Sequence, residues 1–262
     1  MSQSQDVMVT RQDAVLTVTI NRPQSRNGLT PDTCLQLAQA FEAASQQEDV
    51  RCVVLTGAGT SFCSGADLAA AQAAIGAQPY DELIRDRFHR LIRAIVACPK
   101  PVVASIRGAA VGFGFDMALA CDLRVASRKS KFGSVFGRIG LVPDGGSSYT
   151  LSRLVGLTRA MEMVMLAETF DGQRADELGL LNRLTDDDAL ESTTNTLAQR
   201  LAAGPPIAQR LAKANLIAGT SGTLDQALER EVAAQVQCLG SADMMEGVAA
   251  FFQKRPPEFK GR

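Results

Sequence analysis

The sequence contains no tryptophan, one histidine and two tyrosines among its 262 residues. It also has no Cys-x-x-Cys pair, because the six cysteines are dispersed along the chain at Cys34, Cys52, Cys63, Cys98, Cys121 and Cys238. One histidine and no close cysteine pair give a zinc site little support. Dispersed cysteines in apolar surroundings are instead typical of reduced, buried thiols in a cytoplasmic protein.

An excess of charge of either sign is also missing. The formal net charge is −1 and the basic residues are scattered, which argues against nucleic acid as the main partner. No apolar run reaches the roughly 18 residues that a membrane-spanning helix needs. The N-terminal segment MSQSQDVMVT lacks the basic-then-apolar order of a signal peptide. We therefore expect a cytoplasmic protein with neither a nucleic-acid nor a membrane partner.

Hydrophobic residues make up 46% of the chain, enough for one large core or one domain with an appendage. Short alternating segments at 7–10 and 15–20 predict a hairpin, and apolar runs at 53–55 and 102–106 predict buried strands. From Pro206 to Lys254 the pattern predicts only helices. We therefore predict an α/β core over residues 1–200 and a helical region over residues 201–262.

The stretch 101–146 is the one around which the chain is organised. A buried strand is followed by a glycine-spaced loop, Gly108 to Gly114, which feeds a helix. A loop at a helix start directs free amide N–H groups at one point, which suits an oxyanion if a second donor comes from elsewhere. Asp116 and Asp144 place two carboxylates near this loop. The combination predicts proton transfer next to a carbonyl.

Five sequence pieces form a recognisable series: NRPQSRNGL at 21–29, VVLTGAGTSFCSGADL at 53–68, KPVVASIRGAAVGFGFDMALACD at 100–122, FGSVFGRIGLVPDGG at 132–146 and RLVGLTRAMEM at 153–163. Together with the C-terminal segment 241–262, they resemble the crotonase (enoyl-CoA hydratase/isomerase) superfamily over nearly the whole chain. The resemblance implies a spiral of strand-strand-helix units closed by C-terminal helices that build trimers, often paired into hexamers. It further implies an acyl-CoA substrate and no metal or redox cofactor.

The resemblance also implies roles for particular residues. The backbone N–H groups of Ala66 and Phe113 would form the oxyanion hole for the thioester carbonyl. Phe136 would line the acyl pocket. Residues implied to hold coenzyme A are Arg26, Ser64, Gly65, Asp67 and Leu68, with Phe251 and Lys254 reaching the coenzyme A of a neighbouring subunit.

The acidic positions differ from those of the hydratases in the superfamily. A hydratase carries two glutamates, which correspond here to Asp116 and to Phe136, and phenylalanine cannot transfer a proton. Asp144 instead matches the catalytic aspartate of the phenylacetate-pathway (PaaG-like) isomerase branch. We therefore expect an enoyl-CoA double-bond isomerase in which Asp144 carries a proton between two carbons of an oxyanion-stabilised dienolate.

Several alternatives stay open at this stage. The chain could be a weak hydratase that uses Asp116, or a non-catalytic acyl-CoA-binding subunit. It could also dehalogenate aryl-CoA esters, with Asp144 as nucleophile and His89 as base. Simple structural roles compete with these. Asp144 could cap the helix near Ser147 or shape the turn, Asp116 could be favoured by the helix dipole, and His89 could be a packing or surface residue.

Overall fold

The N-terminal hairpin forms one edge of the main sheet. The structure is a computed structural model that describes residues 5–74 and 79–262. Strands β1 (Val7–Gln12) and β2 (Val15–Ile20) pair antiparallel, with Val7 opposite Ile20. The predicted hairpin is therefore confirmed.

The main sheet has six strands in the order β1-β2-β3-β4-β6-β9. The members after the hairpin are β3 (Cys52–Gly57), β4 (Val102–Ile106), β6 (Leu123–Ser127) and β9 (Arg183–Thr185), and they pair parallel from β2 onward. Every residue of β4 is buried, as expected for a central strand of a parallel sheet covered on both faces. The predicted strands at 53–55 and 102–106 are confirmed.

A second sheet of three strands contains β5 (Ala109–Val111), β7 (Lys131–Gly133) and β8 (Phe170–Asp171). β5 lies inside the glycine-spaced segment that the sequence analysis treated as a loop, so that prediction is wrong for residues 109–111. Two alanines and a valine flanked by glycines carry no alternating pattern. The strand exists because β7 pairs with it, Ala110 opposite Phe132, which is a long-range contact.

Helices cover both faces of the main sheet. The apolar spacing over 80–97 predicts one continuous helix, and the structure has helix there but interrupts it with a π-helical turn at Ile84–His89. The alanine- and glutamine-rich segment 69–78 lacks a strong pattern and is interpreted from the sequence as a mobile helix or a lid over a pocket; the structure describes it only as far as residue 74, and residues 75–78 lie outside the described chain. The helices are α1 (Pro31–Gln46), α2 (Leu68–Ala74), α3 (Tyr80–Leu83), α4 (Arg90–Ala97), α5 (Phe113–Ala120), α6 (Ser147–Val155), α7 (Leu157–Leu166), α8 (Gly172–Glu177), α9 (Leu190–Ala202), α10 (Pro206–Gly219), α11 (Leu224–Leu239) and α12 (Ala242–Gln253), with 3-10 turns at Pro23–Ser25 and Val135–Ile139.

The main core lies between the sheet and helices α1, α4 and α5. Phe41, Leu55, Leu91 and Phe115 are among its fully buried side chains. A smaller core on the opposite face packs residues of α9, such as Leu190, against the sheet. In the described part of the chain, no helix is both long enough and apolar enough to cross a membrane.

The last three helices bury little within one chain. α10 and α11 have no buried residue. Large apolar side chains are exposed along them and along α12, at Leu216, Leu224, Leu228, Val232, Val236, Met245, Phe251 and Phe252. The all-helical pattern predicted from Pro206 onward is confirmed, whereas the boundary near residue 200 stays a prediction.

Candidate active site

Two loops that follow β3 and β4 are joined by backbone hydrogen bonds. The N–H of Cys63 donates to the carbonyl of Ala109 at 2.8 Å, and the N–H of Val111 donates to the carbonyl of Cys63 at 3.1 Å. On the other side, Leu29 N–H donates to Gly65 O and Asp67 N–H donates to Leu29 O, each at 2.8 Å. The loop at 63–67 is therefore fixed from both sides next to the start of α5.

The backbone N–H groups of Ala66 and Phe113 take no part in these hydrogen bonds between the loops. Phe113 is the first residue of α5, so its N–H has no acceptor within the helix. Within residues 5–74 and 79–262, the backbone hydrogen bonds outside regular elements include none donated by either amide. The two amides are thus not already bonded to the backbone, as an oxyanion hole requires, and the assignment of Ala66 and Phe113 stays a prediction.

Gly65 keeps the space in front of the Phe113 amide open. A Cβ atom on Gly65 would lie 3.4 Å from the Phe113 nitrogen and 3.1 Å from the Val111 carbonyl oxygen. Its φ of +95° lies in the region that side chains rarely adopt. A side chain at position 65 would therefore strain the turn and crowd both the Val111 carbonyl oxygen and the Phe113 nitrogen.

Asp116 is buried on the first turn of α5, with 1% of its surface exposed. Its Oδ2 accepts a hydrogen bond from the N–H of Gly145 at 2.9 Å, while its Oδ1 has no partner among the described residues. Burial raises the pKa of Asp116 to about 7, against the opposing effect of the Gly145 bond and the nearby Ser147 hydroxyl. The Ser147 Oγ lies near the carboxyl group but forms no hydrogen bond in the described structure.

The shifted pKa of Asp116 predicts a pH dependence of stability. The folded chain binds a proton here up to about pH 7, whereas an unfolded aspartate releases it near 4, so stability falls as the pH rises through that window. The variant Asp116→Asn removes this titration. We expect the free energy of unfolding of the variant, relative to wild type, to rise by up to about 4 kcal/mol between about pH 4 and about pH 8. Denaturant unfolding at several pH values measures this, and a difference independent of pH would contradict it.

Asp144 lies in an irregular turn just before α6. Its side chain is half-buried, and its Oδ1 is buried without a hydrogen-bond partner among the described residues. Burial raises the pKa of Asp144, and the charge of His89 opposes that shift. The N-cap of α6 is Gly146, with no side-chain capping bond, so the capping role considered for Asp144 is wrong.

His89 contacts the same turn. Its Nε2 lies 2.9 Å from the backbone carbonyl oxygen of Asp144. This contact joins residues 55 positions apart, and the packing or surface role expected for His89 from the sequence does not include it. His89 is the last residue of the π-helical turn, a distortion that often occurs at functional sites.

Apolar side chains form a wall beside the two amides. The ring of Phe113 packs edge-on against Phe88, with centroids 5.1 Å apart. Phe136 is buried, and a Cβ on Gly112 would lie 3.8 Å from Val135 Cγ2. This wall lowers the local polarity and is consistent with the raised pKa values of the two aspartates.

The residues predicted to hold coenzyme A fall into two groups. Ser64 N–H donates to Arg26 O at 3.0 Å and Asp67 pairs with Arg22 at 3.1 Å, so the loops at 22–28 and 64–68 lie together, with Arg26 and Leu68 exposed. Asn27, which the sequence analysis did not single out, anchors the first loop by donating to Ala58 O and Ser61 O. Phe251 and Lys254 lie exposed at the end of α12, and no hydrogen bond or ion pair of the described residues links them to these loops.

The parallel sheet, the small second sheet and the C-terminal helices define a crotonase-type fold. The model of the enoyl-CoA hydratase/isomerase family matches residues 10–262, and the chain belongs to that family of enzymes. It is 36% identical to the 1,2-epoxyphenylacetyl-CoA isomerase of Escherichia coli, with 95% of each chain covered. It is 32% identical to the short-chain-enoyl-CoA hydratase of Clostridium acetobutylicum, with 98% of each covered. An enoyl-CoA hydratase structure from Polaromonas sp. JS666 superimposes with a TM-score of 0.91 at 35% identity, covering 97% of this chain and 99% of that one.

Proposed function

We propose that this enzyme is an enoyl-CoA double-bond isomerase in which Asp144 is the proton shuttle. The observation that carries the proposal is a buried, unpartnered carboxylate oxygen on Asp144, combined with Phe136 at the position of the second hydratase glutamate. A 1,3-shift needs one base, whereas water addition needs a group that activates water and a proton delivered to the α carbon. The named relatives include both isomerases and hydratases, so the choice depends on these side chains.

In the proposed reaction, the thioester oxygen of a 3-enoyl-CoA binds between the N–H groups of Ala66 and Phe113. Asp144 takes a proton from the α carbon, and the electron pair left on that carbon moves into a dienolate whose negative oxygen the two amides stabilise. The protonated Asp144 then returns the proton to the γ carbon, which places the double bond between the α and β carbons. The aspartate ends in its starting state, and no metal or redox cofactor takes part.

The second candidate is an enoyl-CoA hydratase that uses Asp116. The buried carboxyl group of Asp116, whose pKa is about 7 and whose Oδ1 is unpartnered, favours it. However, its Oδ2 is already bonded to Gly145, and no second acid stands at position 136. We rank hydration below isomerisation for these two reasons. A non-catalytic acyl-CoA-binding subunit and an aryl-CoA dehalogenase stay as further outcomes of the test.

The test is a panel of 2-enoyl-, 3-enoyl- and aryl-CoA thioesters followed by ultraviolet absorbance in deuterated water. We expect 3-enoyl-CoA to convert to the conjugated 2-enoyl-CoA, with deuterium appearing at both the α and γ carbons as the solvent exchanges with the shuttle. A 3-hydroxyacyl product from 2-enoyl-CoA would indicate a hydratase instead. Tight coenzyme A binding with no turnover of any substrate would indicate a binding subunit.

We also propose that the chain acts as a homo-oligomer, a trimer or a pair of trimers. The exposed apolar side chains of α10, α11 and α12 support this, because contiguous apolar surface of that extent is typical of an interface. In such an assembly, Phe251 and Lys254 would approach the coenzyme A of a neighbouring subunit. Sedimentation equilibrium of the full chain tests the assembly independently of activity.

A further inference from the structure

The peptide group that joins Asp144 to Gly145 is held at both of its polar atoms. Its carbonyl oxygen lies 2.9 Å from His89 Nε2, and its N–H donates to Asp116 Oδ2 at 2.9 Å. The two side chains come from different elements, the π-helical turn before α4 and the first turn of α5. We call this pair of hydrogen bonds the peptide clamp.

Gly145 has no side chain, and this lets Asp116 approach the backbone of the turn closely. A Cβ on Gly145 would lie 2.6 Å from Asp116 Cβ, which is too short for a real contact, and 3.0 Å from Phe113 Cε2, which is a tight one. Any side chain at position 145 would therefore push Asp116 or the Phe113 ring away. The glycine thus lets an acid on α5 reach the backbone of the turn that carries Asp144.

The peptide clamp holds a segment, residues 141–145, that has few other hydrogen bonds within the described chain. Residues 141–144 form no regular secondary structure, and Leu141 and Val142 are exposed. Among the hydrogen bonds of the described chain, those made by backbone atoms of 142–145 are the two bonds of the clamp. In contrast, Oδ1 of the Asp144 side chain has no partner. The two bonds therefore hold the backbone beside Asp144, while Oδ1 of its carboxyl group is available to a substrate.

We propose that His89 and Asp116 are positioning residues, which clamp the Asp144–Gly145 peptide so that the Asp144 carboxylate reaches both carbons of the dienolate. This inference rests on the proposed isomerase function and assigns Asp116 a role other than that of a hydration acid. What position 116 must supply is a hydrogen-bond acceptor for the Gly145 N–H. Asparagine supplies that acceptor as well as aspartate does, and alanine does not.

The test compares matched pairs of variants with a 3-enoyl-CoA substrate. Asp116→Asn keeps an acceptor oxygen, and Asp116→Ala removes it. His89→Gln keeps an N–H donor, and His89→Ala removes it. We expect kcat to fall by about 100-fold in Asp116→Ala and about 10-fold in His89→Ala, with KM changed by less than about threefold, because a misaimed base slows proton transfer without weakening thioester binding. We expect the conservative variants to restore kcat to within about fivefold of wild type.

Hydrogen exchange gives a readout that does not depend on turnover. The Gly145 amide should be protected in wild type and in Asp116→Asn, and should exchange about 10-fold or more faster in Asp116→Ala. This measurement also separates loss of the clamp from loss of the fold, since protection of the β4 amides should be unchanged in a folded Asp116→Ala variant.

Three results would overturn the clamp. Equal losses in Asp116→Asn and Asp116→Ala would mean that the proton of Asp116 matters rather than its acceptor oxygen. Wild-type kcat in both alanine variants would mean that the clamp positions nothing, and unaltered exchange at Gly145 in Asp116→Ala would mean that the bond is not formed. If wild type isomerises no 3-enoyl-CoA, the proposed function fails first, and this outcome is distinct because it appears before any variant is made.

Discussion

Replacing Asp144 by asparagine is expected to lower kcat for 3-enoyl-CoA isomerisation by about 1,000-fold, with KM changed by less than about threefold. Asparagine has nearly the same shape but cannot accept a proton, so only the shuttle is removed. Within the described residues the Asp144 side chain makes no hydrogen bond through Oδ1 and no capping bond to α6, so its replacement should leave the fold intact. Initial rates from the absorbance of the conjugated product measure the effect.

The matched control is Asp176→Asn, which makes the same change at an exposed aspartate in α8 and should leave kcat unaltered. Retention of activity within about fivefold in Asp144→Asn would mean that another group is the base. The pH profile adds a second check, because the base works only when ionised. Since burial raises the pKa of Asp144, kcat/KM should fall on the acid side at a higher pH than an exposed aspartate would produce.

The parts of the fold that depend on local pattern could be predicted from the sequence. The apolar run at 102–106 predicts β4, whose residues are all buried, and the alternation at 15–20 predicts β2. Gly204-Pro205-Pro206 and Gly240-Ser241 are sequences that predict helix ends, and the C-terminal helices do end and begin there. In each case the residues that determine the element lie within the element itself.

The missed elements depend on distant partners. β5 has three residues, Ala109–Val111, and exists because β7 lies alongside it. The π-helical turn at 84–89 inserts an extra residue into a helix whose apolar spacing reads as regular, and its last residue, His89, then meets the turn at Asp144. No local spacing encodes either feature.

The candidate site also has features that could be predicted from the sequence and features that depend on contacts between distant residues. The resemblance pointed to the amides of Ala66 and Phe113, and the backbone pairing of Cys63 with 109–111 now explains how two loops 47 residues apart come together. The sequence could not indicate that Asp116 would bond to the Gly145 N–H. The Asp116 side chain is one methylene shorter than that of a glutamate. Which backbone atom it reaches is determined by the packing of α5 against the turn at 144–145, which brings it to the Gly145 N–H.

Replacing Gly65 by alanine is expected to lower kcat by about 100- to 1,000-fold, the loss that follows removal of one oxyanion-hole donor, about 3–4 kcal/mol of transition-state stabilisation. The added methyl group would lie 3.4 Å from the Phe113 nitrogen, which the proposed oxyanion hole assigns to the thioester oxygen. Gly65 itself belongs to the 64–68 loop that is predicted to hold coenzyme A, but the methyl group adds a single carbon there, so we expect the affinity for free coenzyme A to fall far less than kcat. Stopped-flow rates and calorimetric titration with coenzyme A separate the two effects.

Because Gly65 has a positive φ, part of any loss of kcat in Gly65→Ala could come from backbone strain. The control is therefore a glycine-to-alanine change at another residue with a positive φ, away from the site. Gly179 has a φ of +73° and nothing within 4 Å of its Cβ position, and Gly179→Ala should lower the melting temperature as Gly65→Ala does while leaving kcat intact. Loss of kcat at Gly65 alone, with coenzyme A still bound, would locate the developing negative charge in front of the Phe113 amide. A Gly65→Ala enzyme that is folded and turns over at the wild-type rate would exclude that amide as the donor, whatever Asp144 does.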